Sequence, residues 1–148
     1  MTFRTRQILI IDDDADDILI LEECLSRTSL HFQVTALHTG SEAIPYLHEF
    51  SHGKIEGKPD LIILDLHLPD IEGVELIHAI RRHVILRITP IIVYSGSDDQ
   101  ERLHACYAAG VNCCLKKPSN IDEAMTLAHA IHEFWFTTIQ LPNSYVQR

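Results

Sequence analysis

Cysteine is scarce in this 148-residue chain, and the four present form no CxxC element. Cys24, Cys106, Cys113 and Cys114 therefore argue against a disulfide framework or a thiolate metal site. The ten histidines are scattered without an HExxH, so a zinc site built on them has no support either. No apolar run approaches the roughly 18–20 residues of a spanning helix. The start, MTFRTRQILIIDDD, lacks a cleavable signal pattern, since its short apolar run ends in acids, and a cytoplasmic location without membrane contact is expected. Positive charge is also short: 12 Lys and Arg face 21 Asp and Glu, a net charge of -9. That balance argues against nucleic acid as a partner.

What remains is a chain with 46% hydrophobic residues, enough for a sizeable core in one domain of ordinary size. There is no internal repeat or low-complexity segment, and residues 1–148 read as a single domain. Short apolar runs alternate with amphipathic stretches. Gln7–Ile11, Phe32–Leu37, Leu61–Leu64, Ile91–Tyr94 and Val111–Leu115 read as strands. Helices are expected over Asp16–Arg27, from Thr39 to about His48, over Val74–His83, over Asp98–Ala109 and from Ser119 to about residue 138, before a short tail. Thr39 with Glu42, and Ser119 with Asp122, have capping-box spacing. Pro45 predicts a kink or a shifted start in the second helix, and Gly110 predicts a C-terminal cap on the fourth. Ser51–Pro59 reads as a loop. Ile121, Ala124, Ala128, Ile131 and Trp135 are expected to face the sheet, and Leu127, Ala130 and Phe134 a second surface.

Near-continuous apolar strands separated by helices predict an α/β fold whose parallel sheet is covered on both faces. Right-handed crossovers then give a doubly wound sandwich. In such sheets ligands gather at the strands' carboxyl ends. The first strand ends in Asp12 and Asp13, the third in Asp65, the fourth in Ser95 and the fifth in Lys116 and Lys117. Carboxylates crowded on one rim repel one another and must take up protons or bind a cation. A hard divalent ion, Mg²⁺ or Mn²⁺, with oxygen ligands answers that demand. A carboxylate is also a competent nucleophile toward phosphorus. A lysine ammonium and a serine hydroxyl could hold the remaining phosphoryl oxygens. Asp16 and Asp17 read as favouring a helix N-terminus, Lys116 as surface charge, and the adjacent cysteines as structural thiols on opposite faces of a strand.

Asp12-Asp13, then Asp65-Leu66-His67-Leu68-Pro69 with Gly73, then Ser95, then Lys117-Pro118, resembles the receiver domain of two-component response regulators over about residues 7–132. The resemblance implies a flavodoxin-like five-stranded sheet of order 2-1-3-4-5. It implies Asp65 as phospho-acceptor, Asp13 as direct metal ligand, Asp12 as a ligand through water, and the His67 backbone carbonyl as a further ligand. It implies Ser95 as the switch hydroxyl, Lys117 as the phosphoryl partner, and often a cis Lys117–Pro118 peptide. The donor would be a phosphohistidine on a sensor histidine kinase, and the chain a signalling protein rather than an enzyme, beyond forming and slowly losing its own acyl phosphate. IDDDADDILILEECL, the insertion before Pro59 and HEFWFTTIQLP resemble small stand-alone regulators paired with bacterial phytochromes. Those lack a DNA-binding domain and often dimerise, which implies a bacteriophytochrome partner and a homodimer through a face including the last helix. Two positions depart from the family pattern. Cys114 stands where a switch aromatic is usual, and Ser95 where threonine is commoner.

Two other readings share parts of this pattern. Asp12-Asp13-Asp14 has the DxD spacing of haloacid-dehalogenase-type phosphatases, but Ala15-Asp16 replaces the Gly-Thr expected after it, and Asp65 would lack a role. A nucleotide or flavin binder needs a glycine-rich first loop, whereas this one is acidic and repels phosphate without a metal. A receiver that acts as an unphosphorylated scaffold is the degenerate form of the first reading.

Overall fold

The computed structural model describes residues 4–50, 56–96 and 98–142. Five strands, β1 (Arg6–Ile11), β2 (Phe32–Leu37), β3 (Leu61–Leu64), β4 (Ile91–Ser95) and β5 (Cys113–Lys116), form one sheet. All its pairings are parallel and its order is β2-β1-β3-β4-β5. The helices are α1 (Ala15–Ser26), α2 (Gly40–Glu49), α3 (Gly73–Arg82), α4 (Gln100–Ala109) and α5 (Ile121–Ala130). A short 3₁₀ turn, Leu86–Ile88, precedes β4, and a π-helical stretch carries the last helix from Ile131 to Thr138. The expected architecture and strand order are both present. Residues 51–55 of the expected loop and the tail from 143 onward lie outside the described residues. Among the described residues no helix is long and apolar enough to cross a membrane.

Alternation along the strands divides the core in two. Leu9, Ile11, Ile62, Leu64, Ile91 and Val93 point to one face, beneath α2, α3 and α4. Ile8, Ile10, Leu61, Ile63, Ile92 and Tyr94 point to the other, beneath α1 and α5. The central strand β3 is buried at every position, which is why its sequence is uninterrupted LIIL. Cys114 packs with the first cluster and Cys113 with the second, on opposite faces as expected.

Local chemistry sets the helix ends. Thr39 caps α2 by accepting from the Glu42 N–H at 3.2 Å, and α2 starts there without a shift despite Pro45. Ala43 and Leu47, both buried, hold that helix to the core. Gly110 closes α4 at φ 106, a left-handed conformation that glycine adopts freely. Asp99 is the N-cap of α4, so the helix opens at Gln100 rather than Asp98. Asn112 displaces the start of β5 to Cys113, because its side-chain oxygen takes the Ile91 N–H at 2.8 Å.

The start of α5 corrects the sequence reading. Asn120, not Ser119, is the N-cap, and it accepts from Glu123 N–H at 2.9 Å. Asn and Ser cap equally well, and the longer Glu123 carboxylate, rather than Asp122, reaches back to the Ser119 N–H at 2.8 Å. Ile121 is 55% exposed instead of facing the sheet. It is the first residue of α5, beyond the tip of β5, whereas Ala124, Ala128, Ile131 and Trp135 are buried as expected.

Two side chains tie loops to distant elements. The Arg81 guanidinium on α3 donates to the Arg87, Thr89 and Gly110 carbonyls at 3.1, 2.7 and 2.8 Å and to Asn112 Oδ1 at 3.0 Å. Asp70, just past β3, accepts from the Gly40 and Ser41 N–H groups at 2.7 and 2.8 Å and from the Ser41 hydroxyl at 2.6 Å. The Ser41 hydroxyl and those two N–H groups hold its carboxyl below the usual range. A carboxylate with a depressed folded-state pKa stabilises above its unfolded pKa and loses that contribution as pH falls through the folded value. Asp70→Ala is therefore expected to lower the melting temperature at pH 7, with the gap to wild type closing in acid. A gap that stays constant from pH 7 to pH 3 would refute the assignment.

Candidate functional site

The sheet ladder continues past the strand ends and fixes the rim residues by their backbones. Asp12 N–H donates to Leu37 O at 3.0 Å, Asp65 N–H to Ile11 O at 2.8 Å, and Lys117 N–H to Ser95 O at 3.0 Å. Each residue is thus locked to the neighbouring strand while its side chain stays in the crevice above the sheet. Gly73 allows this packing, since a Cβ there would sit 2.7 Å from Leu66 Cα, the residue after Asp65.

Lys117 Nζ is the centre of the site. It lies 2.9 Å from Asp65 Oδ2, 3.0 Å from Asp12 Oδ2 and 2.6 Å from Asp17 Oδ2, and 5.6 Å from the centroid of the Tyr94 ring. Asp12, Asp65 and Ser95 are buried. Burial alone would depress the Lys117 pKa, but its contacts with Asp17, Asp65 and Asp12 outweigh it and raise it. Burial pushes Asp12 up to about 6, against the opposing effects of the Asp14 N–H and Lys117.

Asp12, Asp13 and Asp65 can each present an oxygen within 4.8 Å of the others, with Asp13 exposed. Asp12 Oδ1 accepts from Asp14 N–H at 2.9 Å, but Oδ2 is buried without an aligned hydrogen-bond donor, its contact with Lys117 being one of charge. A buried oxygen left without a donor beside two further carboxylates is a donor set for a hard divalent cation. His67 follows in the loop, where its N–H donates to Asp65 Oδ1 at 3.1 Å. The Lys117–Pro118 peptide is trans, as is every described peptide bond, rather than the cis form that the resemblance gives as frequent. Trans is the intrinsically favoured isomer of an X–Pro bond.

Ser95 borders a cleft of about 180 Å³ together with Leu66, Val93, Arg102 and Cys114. The Cys114 side chain packs inward, and its N–H donates to the Tyr107 hydroxyl of α4 at 3.2 Å. Burial pushes the Cys114 thiol up to about 11 and raises Cys106 and Cys113 as well, so all three are protonated structural thiols. Lys116 pairs with Asp98 on the surface, as expected.

Asp12, Asp13, Asp65 and Lys117 come together at this crevice, His67 adjoins it through its N–H, Ser95 lines the neighbouring cleft, and Lys116 lies on the surface. Asp17 and Tyr94 join the crevice unexpectedly. The signal for Asp17 was its spacing: residues 17, 21 and 24 lie on one helical stripe, and Leu21 and Cys24 are core.

Comparison with known proteins agrees with this geometry. The response regulator receiver domain model matches residues 8–129. Response regulator Rcp1 of Synechocystis is 29% identical over 91% of this chain and 92% of its own length, and its Mn²⁺-bound structure superposes with a TM-score of 0.82 at 28% identity, covering 93% of this chain and 99% of that one. The phosphorylated cyanobacterial phytochrome response regulator RcpA gives a TM-score of 0.85 at 30% identity, over 95% of this chain and 100% of that one. RPA3017, a response regulator in red light signaling of R. palustris, gives 0.81 at 25%, over 93% and 99%. An acidic pocket fit for phosphorylation with a metal, on a five-stranded 2-1-3-4-5 sheet, is thus accompanied by a family match across most of the sequence: the chain belongs to the response regulator receiver domain family.

Proposed function

We propose that Asp65 is the phospho-acceptor, served by Lys117 and Ser95, with Mg²⁺ or Mn²⁺ held by Asp12, Asp13, Asp65 and the His67 carbonyl. The observation that carries this reading is the Lys117 ammonium 2.9 Å from a buried Asp65 within a three-carboxylate cluster. A phosphohistidine of a sensor histidine kinase is the donor. An Asp65 oxygen forms the bond to phosphorus as the P–N bond breaks, and the electron pair leaves with the imidazole. A carboxylate is itself a nucleophile toward phosphorus, so no general base is required. A bound divalent cation supplies charge neutralisation for Asp65 and the incoming oxygens. Lys117 turns its ammonium to one phosphoryl oxygen and Ser95 donates its hydroxyl to another. The product is a changed conformation, by population shift, and the chain makes and slowly loses its own acyl phosphate. A haloacid-dehalogenase-type reading leaves the buried, lysine-paired Asp65 idle.

The likeness to regulators of phytochrome and red-light signalling supports a bacteriophytochrome as the partner kinase and a cytoplasmic setting. Phe134, 52% exposed on the last helix, supports a homodimer through a face that includes that helix.

Incubation with Mg²⁺ and acetyl phosphate, followed by intact mass, tests the acceptor. Wild type is expected to gain one phosphoryl mass and Asp65→Asn none. An adduct that persists in Asp65→Asn, or none on a folded wild type that binds Mg²⁺, would sink the proposal. A shift in elution volume with beryllofluoride is the readout for dimerisation.

A further inference from the structure

Lys117 has a third carboxylate partner outside the receiver motif, on a different element from the others. Asp17, in the first turn of α1, approaches Nζ to 2.6 Å, nearer than Asp65 at 2.9 Å or Asp12 at 3.0 Å. Its Oδ2 accepts an aligned hydrogen bond from the ammonium, as does Asp65 Oδ2, whereas the buried Asp12 Oδ2 does not. A lysine ammonium has three donors on a flexible stem, and holding it in one place costs rotamer entropy. Asp65 cannot supply that hold throughout the reaction. Once an Asp65 oxygen is bonded to phosphorus, the carboxylate has lost its charge and part of its capacity to accept. Asp17 is untouched by the chemistry and keeps its grip before and after transfer. The core residues Leu21 and Cys24, on the same stripe of α1, fix its position.

We infer that Asp17 is a positioning residue: it anchors Lys117 at the rim so that the ammonium meets the phosphoryl group. The inference rests on the assignment of Asp65 and Lys117 above. A carboxylate that only contributed stability would change melting temperature but not the rate at which a folded protein reacts.

The test is the initial rate of phosphoryl mass gain from acetyl phosphate with Mg²⁺ in wild type, Asp17→Ala, Asp17→Asn, Lys117→Ala and the Asp17→Ala/Lys117→Ala double variant. Asp65→Asn serves as the blank. Asp17→Ala is expected to slow uptake on the order of tenfold, with Mg²⁺ affinity unchanged. Asp17→Asn, which keeps an acceptor without the charge, falls between it and wild type. The double variant is expected to be no slower than Lys117→Ala alone, because Asp17 acts through that ammonium. If Asp17→Ala does not fold, Asp17→Asn and its combination with Lys117→Ala carry the same comparison. Uptake at or above the wild-type rate in the Asp17 variants overturns the inference. So does a double variant slowed, relative to Lys117→Ala, by the full factor seen in the single variant. A wild type that gains no mass overturns the Asp65 assignment instead, so the two failures are distinguishable.

Discussion

Lys117→Ala is expected to cost the metal-free protein about 3–5 kcal/mol at pH 8, the penalty of leaving buried carboxylates without their cation. Three acids, Asp12, Asp17 and Asp65, surround that ammonium, and two of them are buried. The sign of the pH dependence follows from which groups titrate. The folded-state pKa of Lys117 is raised, so its contribution is fully present below its unfolded value and is lost only as pH rises through the higher folded one. Lysine is therefore charged in both states between pH 5 and 9. Any pH dependence of the loss in that range comes from the acids. Asp12 already stands at about 6 with Lys117 beside it, and removal of the cation moves it further up. The penalty should shrink toward pH 5 as the cluster takes up protons, and saturating Mg²⁺ should shrink it at pH 8. Denaturant unfolding of both proteins at the two pH values, with and without Mg²⁺, measures this. A loss that is equal under all four conditions would mean that Lys117 contributes packing and not charge.

The second large effect has the opposite sign. Asp12→Asn is expected to stabilise the metal-free protein at pH 7.5 by about 2 kcal/mol, or about 4–8 °C in melting temperature. Burial raises Asp12 from 3.8 to about 6. Between those values the folded chain keeps a proton that the unfolded chain has released. The group's contribution therefore falls as pH rises through that window and is at its worst above about 6. Asparagine removes the charge yet can still accept from the Asp14 N–H through its side-chain oxygen. Saturating Mg²⁺ should reverse the order, because the cation stabilises wild type by binding and the variant has lost a ligand. Near pH 3.5 the two should melt together. A variant less stable than wild type at pH 7.5 without metal would contradict this account.

The rim was legible because a parallel sheet sends all its carboxyl ends to one side. Each apolar run therefore announced a candidate residue by what ended it: Asp12, Asp65, Ser95, Lys117. β3 could be bounded to the residue since its burial is complete, with Pro59-Asp60 before it and an acid after it. Asp17 was harder to find. An acid in a first turn has a sufficient local explanation in the helix dipole, and only the lysine a hundred positions away supplies the other. The start of α5 was misplaced by one residue for a different reason: Asn120–Glu123 has the same spacing as Ser119–Asp122, and the structure uses it, with the longer glutamate side chain reaching back to the Ser119 N–H. The Tyr107 hydroxyl on Cys114 N–H depends on a tertiary neighbour that no spacing encodes.

Arg81 gives the sheet a fixed end. Its guanidinium fastens the chain just before β4, through Arg87 and Thr89, to the chain just before β5, through Gly110 and Asn112. Ser95 and Lys117 stand at the opposite tips of those two strands. A clasp at one end of two paired strands resists their sliding along one another, because sliding would break the four hydrogen bonds of the guanidinium, whereas a tilt at the opposite tips leaves all four intact.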